Sequence, residues 1–175
     1  MVSVGLVLTG VWSHQRAPSV SERPVALERI EGGRILDGGY LSESGNGGIR
    51  LYFDEGSEFS LMPGTRGRLR SVNKDGANLA IERGAASLRI THHLEHRWSV
   101  EAGPFLVTVK GTDFTVSWDP TSEQFELELR RGRVAVSGPV VGEGFALKPG
   151  QKLSVSLPRA ETVITEGRPG EPRHS

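Results

Sequence analysis

The sequence predicts an all-β fold, a single domain made of many short strands. Apolar and polar residues alternate with a period of two in several short runs, which is the spacing of a half-buried strand. The chain of 175 residues also holds 23 glycines and 10 prolines, residues that join short elements through turns. No window of eleven or more residues shows the 3.6-residue period of an amphipathic helix.

The individual strands follow from runs in which one face is apolar. The clearest is FELEL at 125–129, where three large apolar residues alternate with Glu126 and Glu128. The run FTVSW at 114–118 places Phe, Val and Trp on one face in the same way. The period of two recurs at 88–90, 134–136 and 153–157. Ten to twelve such strands are expected over residues 25–157, which we take as the domain.

Groups of turn-forming residues separate these runs. They read DEGS, MPGT, KDG, ERG, RRG, GEG and KPG, and most combine a charge with a glycine. The predicted structural turn positions are Gly56, Gly64, Gly84, Gly111, Thr112, Gly132 and Gly150. A charged-x-Gly turn recurs before the apolar strands, which is typical of a solenoid, in which similar coils follow one another along the chain. A solenoid-like arrangement is therefore expected, with a twisted sandwich as the other possibility.

The two ends of the chain differ in composition from the domain. Residues 1–12, MVSVGLVLTGVW, are strongly apolar but too short for a membrane span, because a bilayer core is ~30 Å thick and a helix rises ~1.5 Å per residue. We interpret them as part of a transmembrane helix, or else as a first strand. Residues 13–24 read as a polar linker. From Pro158 onward, apart from the short TVI run, residues 158–175 are predicted to be a disordered tail.

The composition excludes several kinds of chemistry. The 21 basic and 21 acidic residues give a formal charge of zero, so we expect no nucleic-acid partner. The absence of cysteine excludes disulfides, thiolate catalysis and zinc–thiolate sites.

The stretch GTDFTVSW at 111–118 poses the main functional question. Asp113 stands between two apolar runs, where it could be a catalytic acid on a turn or part of a corner between two strands. Gly111 suits a corner because it tolerates a positive φ, and the Thr112 hydroxyl can bond within its own turn. Phe114 then begins a buried face. The corner is the favoured interpretation, so we predict no catalytic residue.

Other possible sites have weaker support. In THHLEHRW, His92 and His96 have a spacing of four, which would share a face on a helix, with Glu95 as a further ligand. The flanks read as strands, so the histidines are expected in a loop without a metal. The glycine-rich GNGGIR at 45–50 lacks the Lys-Ser/Thr end of a phosphate loop. We therefore predict neither metal nor cofactor. Arg130, Arg131 and Arg133 are interpreted as a basic strand edge that discourages aggregation.

Five segments taken together resemble the FecR domain family. In chain order they are IRLYFDEGSEFSLMPGT (49–65), AIERGAASLRI (80–90), PFLVTVKGTDFTV (104–116), RRGRVAV (130–136) and LKPGQ (147–151). Two departures are Glu55, inserted into the first turn, and Leu88, where the family prefers an aromatic residue. In the family pattern the residue between Thr and Phe of the third segment is open to many polar types. The resemblance therefore treats Asp113 as a variable position.

The resemblance implies a function for the domain. FecR domains are the outward-facing parts of membrane-anchored sigma-factor regulators, so the expected role is non-enzymatic binding and signalling in the periplasm. The expected partner is an envelope protein, an outer-membrane receptor or a regulator, with the inner membrane reached through residues 1–12. The alternative is a carbohydrate- or cell-wall-binding β module, in which Trp98 and Trp118 would be exposed stacking platforms.

Overall fold

The computed structural model describes residues 25–92 and 96–167, and the all-β prediction is confirmed over them. These residues form no α-helix and only one short 3-10 turn, Asp37–Gly39. The strands are β1 (Leu27–Glu31), β2 (Gly33–Ile35), β3 (Leu41–Glu43), β4 (Ile49–Phe53), β5 (Glu58–Leu61), β6 (Arg66–Asn73), β7 (Gly76–Arg89), β8 (Trp98–Ala102), β9 (Phe105–Asp119), β10 (Gln124–Gly138), β11 (Gly142–Leu147), β12 (Gln151–Ser156) and β13 (Glu161–Glu166). The predicted apolar segment 1–12 and linker 13–24 lie outside the described residues.

The predicted alternation within strands is confirmed. In β10, Phe125, Leu127 and Leu129 are fully buried, while Glu126 and Glu128 between them keep solvent contact. The apolar residues of FTVSW are buried in the same way in β9. One face of β9 and one face of β10 therefore help to build the core, as a period of two requires.

Three strands are long, contrary to the prediction of uniformly short ones. β7 has 14 residues, and β9 and β10 have 15 each. Each of them changes neighbours about halfway along. The first half of β9 pairs with β8 and the second half with β7, while β10 runs beside β9 almost throughout. The three strands therefore belong to two parts of one large sheet.

The two parts of the sheet define two layers. The first layer has the order β1-β4-β5-β7-β9-β10-β12-β13, using residues 84–89, 113–119 and 124–129 of the long strands. The second has the order β6-β7-β8-β9-β10-β11, using their other halves. Pairing in this sheet is antiparallel except between β7 and β8. β2 and β3 form a separate small sheet.

Aromatic rings fill the space between the layers. Trp98 of the second layer lies edge-on to Phe53 and Phe59 of the first, with ring centroids 5.0 and 5.4 Å apart. Phe105 of the second layer stacks on Phe125 of the first at 4.3 Å. These contacts show that the long strands fold one layer onto the other around a shared core.

Ordered structure extends beyond the TVI run, which is set apart from the predicted disordered tail, to residues 161–166. These residues form β13, which pairs with β12 along its whole length, from Ser156 opposite Glu161 to Gln151 opposite Glu166. All six side chains of β13 are exposed. The backbone of β12 provides the hydrogen bonds that hold β13 in place, so β13 forms although its side chains do not contribute to the core. Residues 168–175 lie outside the described part of the chain.

Glu43 connects β3 to two glycine-containing loops. One carboxylate oxygen accepts a hydrogen bond from the Gly48 N–H at 2.6 Å, and the other accepts one from the Gly64 N–H at 3.0 Å. The bond from Gly64, and then that from Gly48, lower the pKa of Glu43 from its ordinary value of 4.5. Hydrogen bonds to an ionised carboxylate favour the charged form.

We expect Glu43→Gln to destabilise the domain at neutral pH but much less in acid. The folded-state pKa is lowered, so the stabilisation is fully present above pH 4.5, the ordinary value, and is lost as the pH falls through the folded-state value. Thermal midpoints of both proteins between neutral pH and pH below 4.5 measure the effect. The difference between the thermal midpoints of the wild type and the variant should become smaller in acid. A difference that stays the same at every pH would contradict this role of Glu43.

Candidate interaction edges of the sheet

The seven predicted turn positions fall into two groups. Three lie in turns between strands: Gly56, Gly64 and Gly150. The other four lie inside the long strands: Gly84 in β7, Gly111 and Thr112 in β9, and Gly132 in β10. The predicted solenoid-like turns at this second group are instead bends in continuous strands. Each bend marks the point where a strand passes from one layer to the other.

The bends of β9 and β10 lie against each other. Gly132 has a φ of +89°, and a Cβ placed there would overlap the Gly111 carbonyl oxygen and lie 2.9 Å from the Cα of Thr112. The pairing register shifts on both sides of Arg131, as expected where a strand bulges. Only glycine combines this backbone angle with so close an approach.

Thr112 acts differently from the prediction. Its hydroxyl, which we expected to bond within the turn, is buried and makes no hydrogen bond to the described residues. Its carbonyl oxygen instead accepts a hydrogen bond from the Ile90 N–H at 2.7 Å. The main chain at Thr112 therefore links the end of β7 to β9, and the side chain fills space beside Gly132.

Asp113 lies on the outer face of β9 in an ion pair. Arg130 of β10 approaches its carboxylate at 3.3 Å and also donates to the Thr115 hydroxyl at 3.1 Å. This arrangement joins two neighbouring strands across their exposed surface. It favours a structural role for Asp113 over a catalytic one. Arg130 lies in a stretch of β10 that is paired with β9 alone, because the pairing of β10 with β12 ends at Glu128 and that with β11 begins at Val134.

The histidine segment is described only in part. His92 covers the bend of β9, since a Cβ on Gly111 would lie 2.7 Å from its Nδ1 atom. His93 and Glu95 lie outside the described residues. Among the residues that are described, no group of three or more His, Asp or Glu side chains could hold a metal ion.

The two tryptophans of the domain are buried. Trp98 is 1% exposed and Trp118 is 7% exposed, and both belong to the core. A side chain that stacks on a sugar must present its face to solvent, so neither residue can serve as such a platform. The observation that would have favoured a carbohydrate-binding module is therefore missing from the described residues.

The four edge strands of the large sheet differ in chemistry. β1 is protected by charge, because Arg29 forms an ion pair with Glu31 at 2.9 Å and lies over the ring of Tyr52. β6 carries three arginines and is partly covered by Tyr40, which bridges to Arg68. Charged and covered edges resist pairing with another chain.

The remaining two edges are more accessible. β11 contains Gly142 and Gly144, both with positive φ, so its edge is irregular. β13 is regular, and its central residues Thr-Val-Ile-Thr carry no charge. Val163 and Ile164 are each 44% exposed. No charge of its own protects the middle of β13, so it is the edge best suited to accept another strand.

These features define a class of protein: an all-β domain that offers strand edges and buries Trp98 and Trp118 in its core. A family model described as FecR protein matches residues 42–135, more than half of the chain. The chain belongs to the FecR family. The matched residues include β4 to β9 and most of β10, but neither β12 nor β13.

Two solved structures share the fold. Both are described as a "putative anti-sigma factor" from Parabacteroides distasonis ATCC 8503. One is 20% identical with a TM-score of 0.59, covering 67% of this chain and 55% of that one. The other is 18% identical with a TM-score of 0.60, covering 79% of this chain and 61% of that one. The chain thus spans less than two thirds of either relative. A comparison with curated proteins returned no match.

The apolar segment 1–12, which the sequence suggested as an anchor, lies outside the described residues. No helix within residues 25–92 and 96–167 is long and apolar enough to cross a membrane.

Proposed function

We propose that this chain carries the periplasmic domain of a membrane-anchored sigma-factor regulator, and that the domain binds another protein without catalysis. The observation that carries the proposal is the FecR family match over residues 42–135. The structural relatives described as anti-sigma factors support the same role. The proposed partner is an envelope protein, either an outer-membrane receptor or another regulator.

The geometry supports binding rather than chemistry. β13 is a regular edge strand whose backbone groups can pair with a partner, which is a common mode of protein recognition. Asp113, the one acid that the sequence raised as catalytic, is held by Arg130 in an ion pair between strands. The large aromatic residues are used in the core.

A test of the regulatory role uses a variant that strongly destabilises the folded domain. In the host, the chromosomal copy is replaced by one encoding Gly132→Val, because a side chain at this position would overlap the Gly111 carbonyl oxygen. If the domain regulates a sigma factor, the transcripts of the genes that share one promoter sequence are expected to change together. The proposal would be contradicted if the variant protein accumulated to the normal level with its domain unfolded and the transcript profile did not change.

A test of the location uses reporter fusions at the end of the chain. Alkaline phosphatase requires disulfides, which form in the oxidising periplasm, so its fusion is expected to be active there. A β-galactosidase fusion at the same point is expected to be inactive. The opposite pattern would place the domain in the cytoplasm and contradict a periplasmic partner.

Deleting residues 1–20 is expected to leave the thermal midpoint within about one or two degrees, because no buried contact of the domain would be lost. The apolar residues 1–12 should instead confer detergent binding or sedimentation with membranes, which the deletion abolishes. Calorimetry and membrane fractionation measure the two effects. A midpoint lower by several degrees would show that these residues form a strand of the fold.

A further inference from the structure

We propose that β13 is a docking edge for a second copy of this chain, with the two β13 strands pairing antiparallel about a two-fold axis. β13 lies at the end of the first layer and pairs only with β12. It also lies beyond the part of the chain matched by the FecR family model. The dimer does not depend on which protein the domain regulates.

The hydrogen-bond pattern shows which backbone groups are free. Gly167 donates to the Gly150 carbonyl oxygen, and these two residues stand opposite each other in the extension of the β12–β13 register. In an antiparallel ladder, alternate residues direct their backbone groups to the same side. Residues 161, 163 and 165 therefore face β12, while the N–H and C=O groups of Thr162, Ile164 and Glu166 point away from the sheet.

The free edge is apolar where a partner strand would contact it. Ile164 stands opposite Leu153, which is fully buried, yet Ile164 itself is 44% exposed. It continues the inner face of the first layer beyond the point where the core covers it. Val163 occupies the other face with the same exposure. A strand added at this edge would cover both side chains.

Charge and register together favour a second copy as this strand. A two-fold axis normal to the sheet keeps each face continuous, so only residues on the same face can stand opposite each other. Glu161 and Glu166 lie on opposite faces of β13, because five positions separate them. Glu161 of one copy therefore cannot oppose Glu166 of the other.

Two of the registers that satisfy these conditions also place a large apolar residue opposite its own copy at the axis. One places Ile164 opposite Ile164 of the second copy, with Thr162 opposite Glu166. The other places Val163 opposite Val163, with Glu161 opposite Thr165. In both registers the glutamates of β13 face uncharged residues, and at least one pair of large apolar residues meets at the axis. A strand of six residues makes a small interface, so the expected dimer depends on concentration.

Sedimentation equilibrium of the full chain in detergent, over a series reaching ~1 mM, tests the dimer. Ile164→Lys should raise the dimer dissociation constant about tenfold or more, because it places a charge at the free edge. Met62→Lys is the matched control, since Met62 is 43% exposed and lies outside β13. The detergent and residues 1–12 are common to all three proteins, so they do not affect the comparison.

Single cysteines read the register, because the chain has none of its own. Directly opposed residues in an antiparallel pair have Cα atoms ~4.5–5.5 Å apart, within the range for a disulfide. We expect rapid cross-linking in a glutathione buffer for Ile164→Cys or for Val163→Cys, according to the register. Val140→Cys, exposed in the turn before β11, is the control for random collision.

Three results would overturn the dimer. One is a wild-type protein that stays monomeric over the whole series. Another is an equal effect of Ile164→Lys and Met62→Lys on association. The third is cross-linking of both β13 cysteines at the rate of Val140→Cys. Unchanged thermal midpoints for dilute Ile164→Lys would show that the variant is folded, as expected for an exposed side chain.

Discussion

Gly132→Val is expected to lower the free energy of unfolding by roughly 2–6 kcal/mol, a large part of the ~5–15 kcal/mol that stabilises an ordinary domain. A φ of +89° strains a β-branched residue by about 1–3 kcal/mol. The added Cβ would also overlap the Gly111 carbonyl and crowd Thr112, for about 1–3 kcal/mol more. Most of the crowded atoms are backbone, so no side-chain rotation can relieve the overlap.

Gly144→Val separates the two contributions. Gly144 has a φ of +67°, but a Cβ there would meet nothing within 4 Å. Its replacement should cost only the backbone strain, about 1–3 kcal/mol. Asp113→Asn is a further control at the same bend, expected to stay within ~1 kcal/mol of the wild type because it alters a surface ion pair. Urea denaturation measures all three. If both glycine variants lost the same free energy of unfolding, the close approach of the β9 and β10 backbones at Gly132 would not contribute to stability.

The alternation of residues was enough to predict the fold class and the buried faces. FELEL could be assigned from the sequence because its pattern is set by the strand itself, whose side chains point to alternate faces. The same holds for FTVSW. The family resemblance rested on short glycine-containing segments, and the family match over residues 42–135 confirms it.

The length of the strands could not be predicted in the same way. A glycine that follows charged residues can adopt a positive φ either in a turn between two strands or in a bend within one strand. The local sequence is the same in both cases. At Gly132 the strand continues because β9 bends with it and stays paired on both sides of the glycine. At Gly150 the strand is interrupted, because the pairing with β10 stops at Leu147 and resumes only at Lys152. The difference therefore depends on residues far away in sequence. The sequence therefore indicated where the chain changes direction but not whether the strand ends there.

The edge at β13 also depends on distant residues. ETVITE has all six side chains exposed, so it lacks the half-buried alternation that identifies a strand, and its flanks resemble a disordered tail. The strand exists because β12 offers unpaired backbone groups on one side. Arg130, Arg131 and Arg133 lie within a central strand, but between its pairing with β12 and its pairing with β11, and the local sequence does not show this position either. The surfaces open to partners are decided by the order of strands, which the local pattern does not contain.

Trp98→Ala is expected to lower the free energy of unfolding by about 3–5 kcal/mol, because it leaves a cavity between the two layers. Trp98 is 1% exposed, and its ring contacts Phe53 and Phe59 of the opposite layer. The strands that carry these rings, β8 on one side and β4 and β5 on the other, do not pair with each other. Their association therefore depends on side chains.

Trp98→Phe is the matched control. It keeps an aromatic ring between Phe53 and Phe59, and it loses an indole N–H that has no hydrogen-bond partner among the described residues. Only the volume difference should matter, so the expected loss is about 1–2 kcal/mol. Urea denaturation of both variants gives the comparison. A loss below ~1 kcal/mol for Trp98→Ala would show that the site collapses or that other contacts hold the layers together. A large loss for alanine with a small one for phenylalanine would show that ring packing, rather than hydrogen bonding, joins the layers at this point.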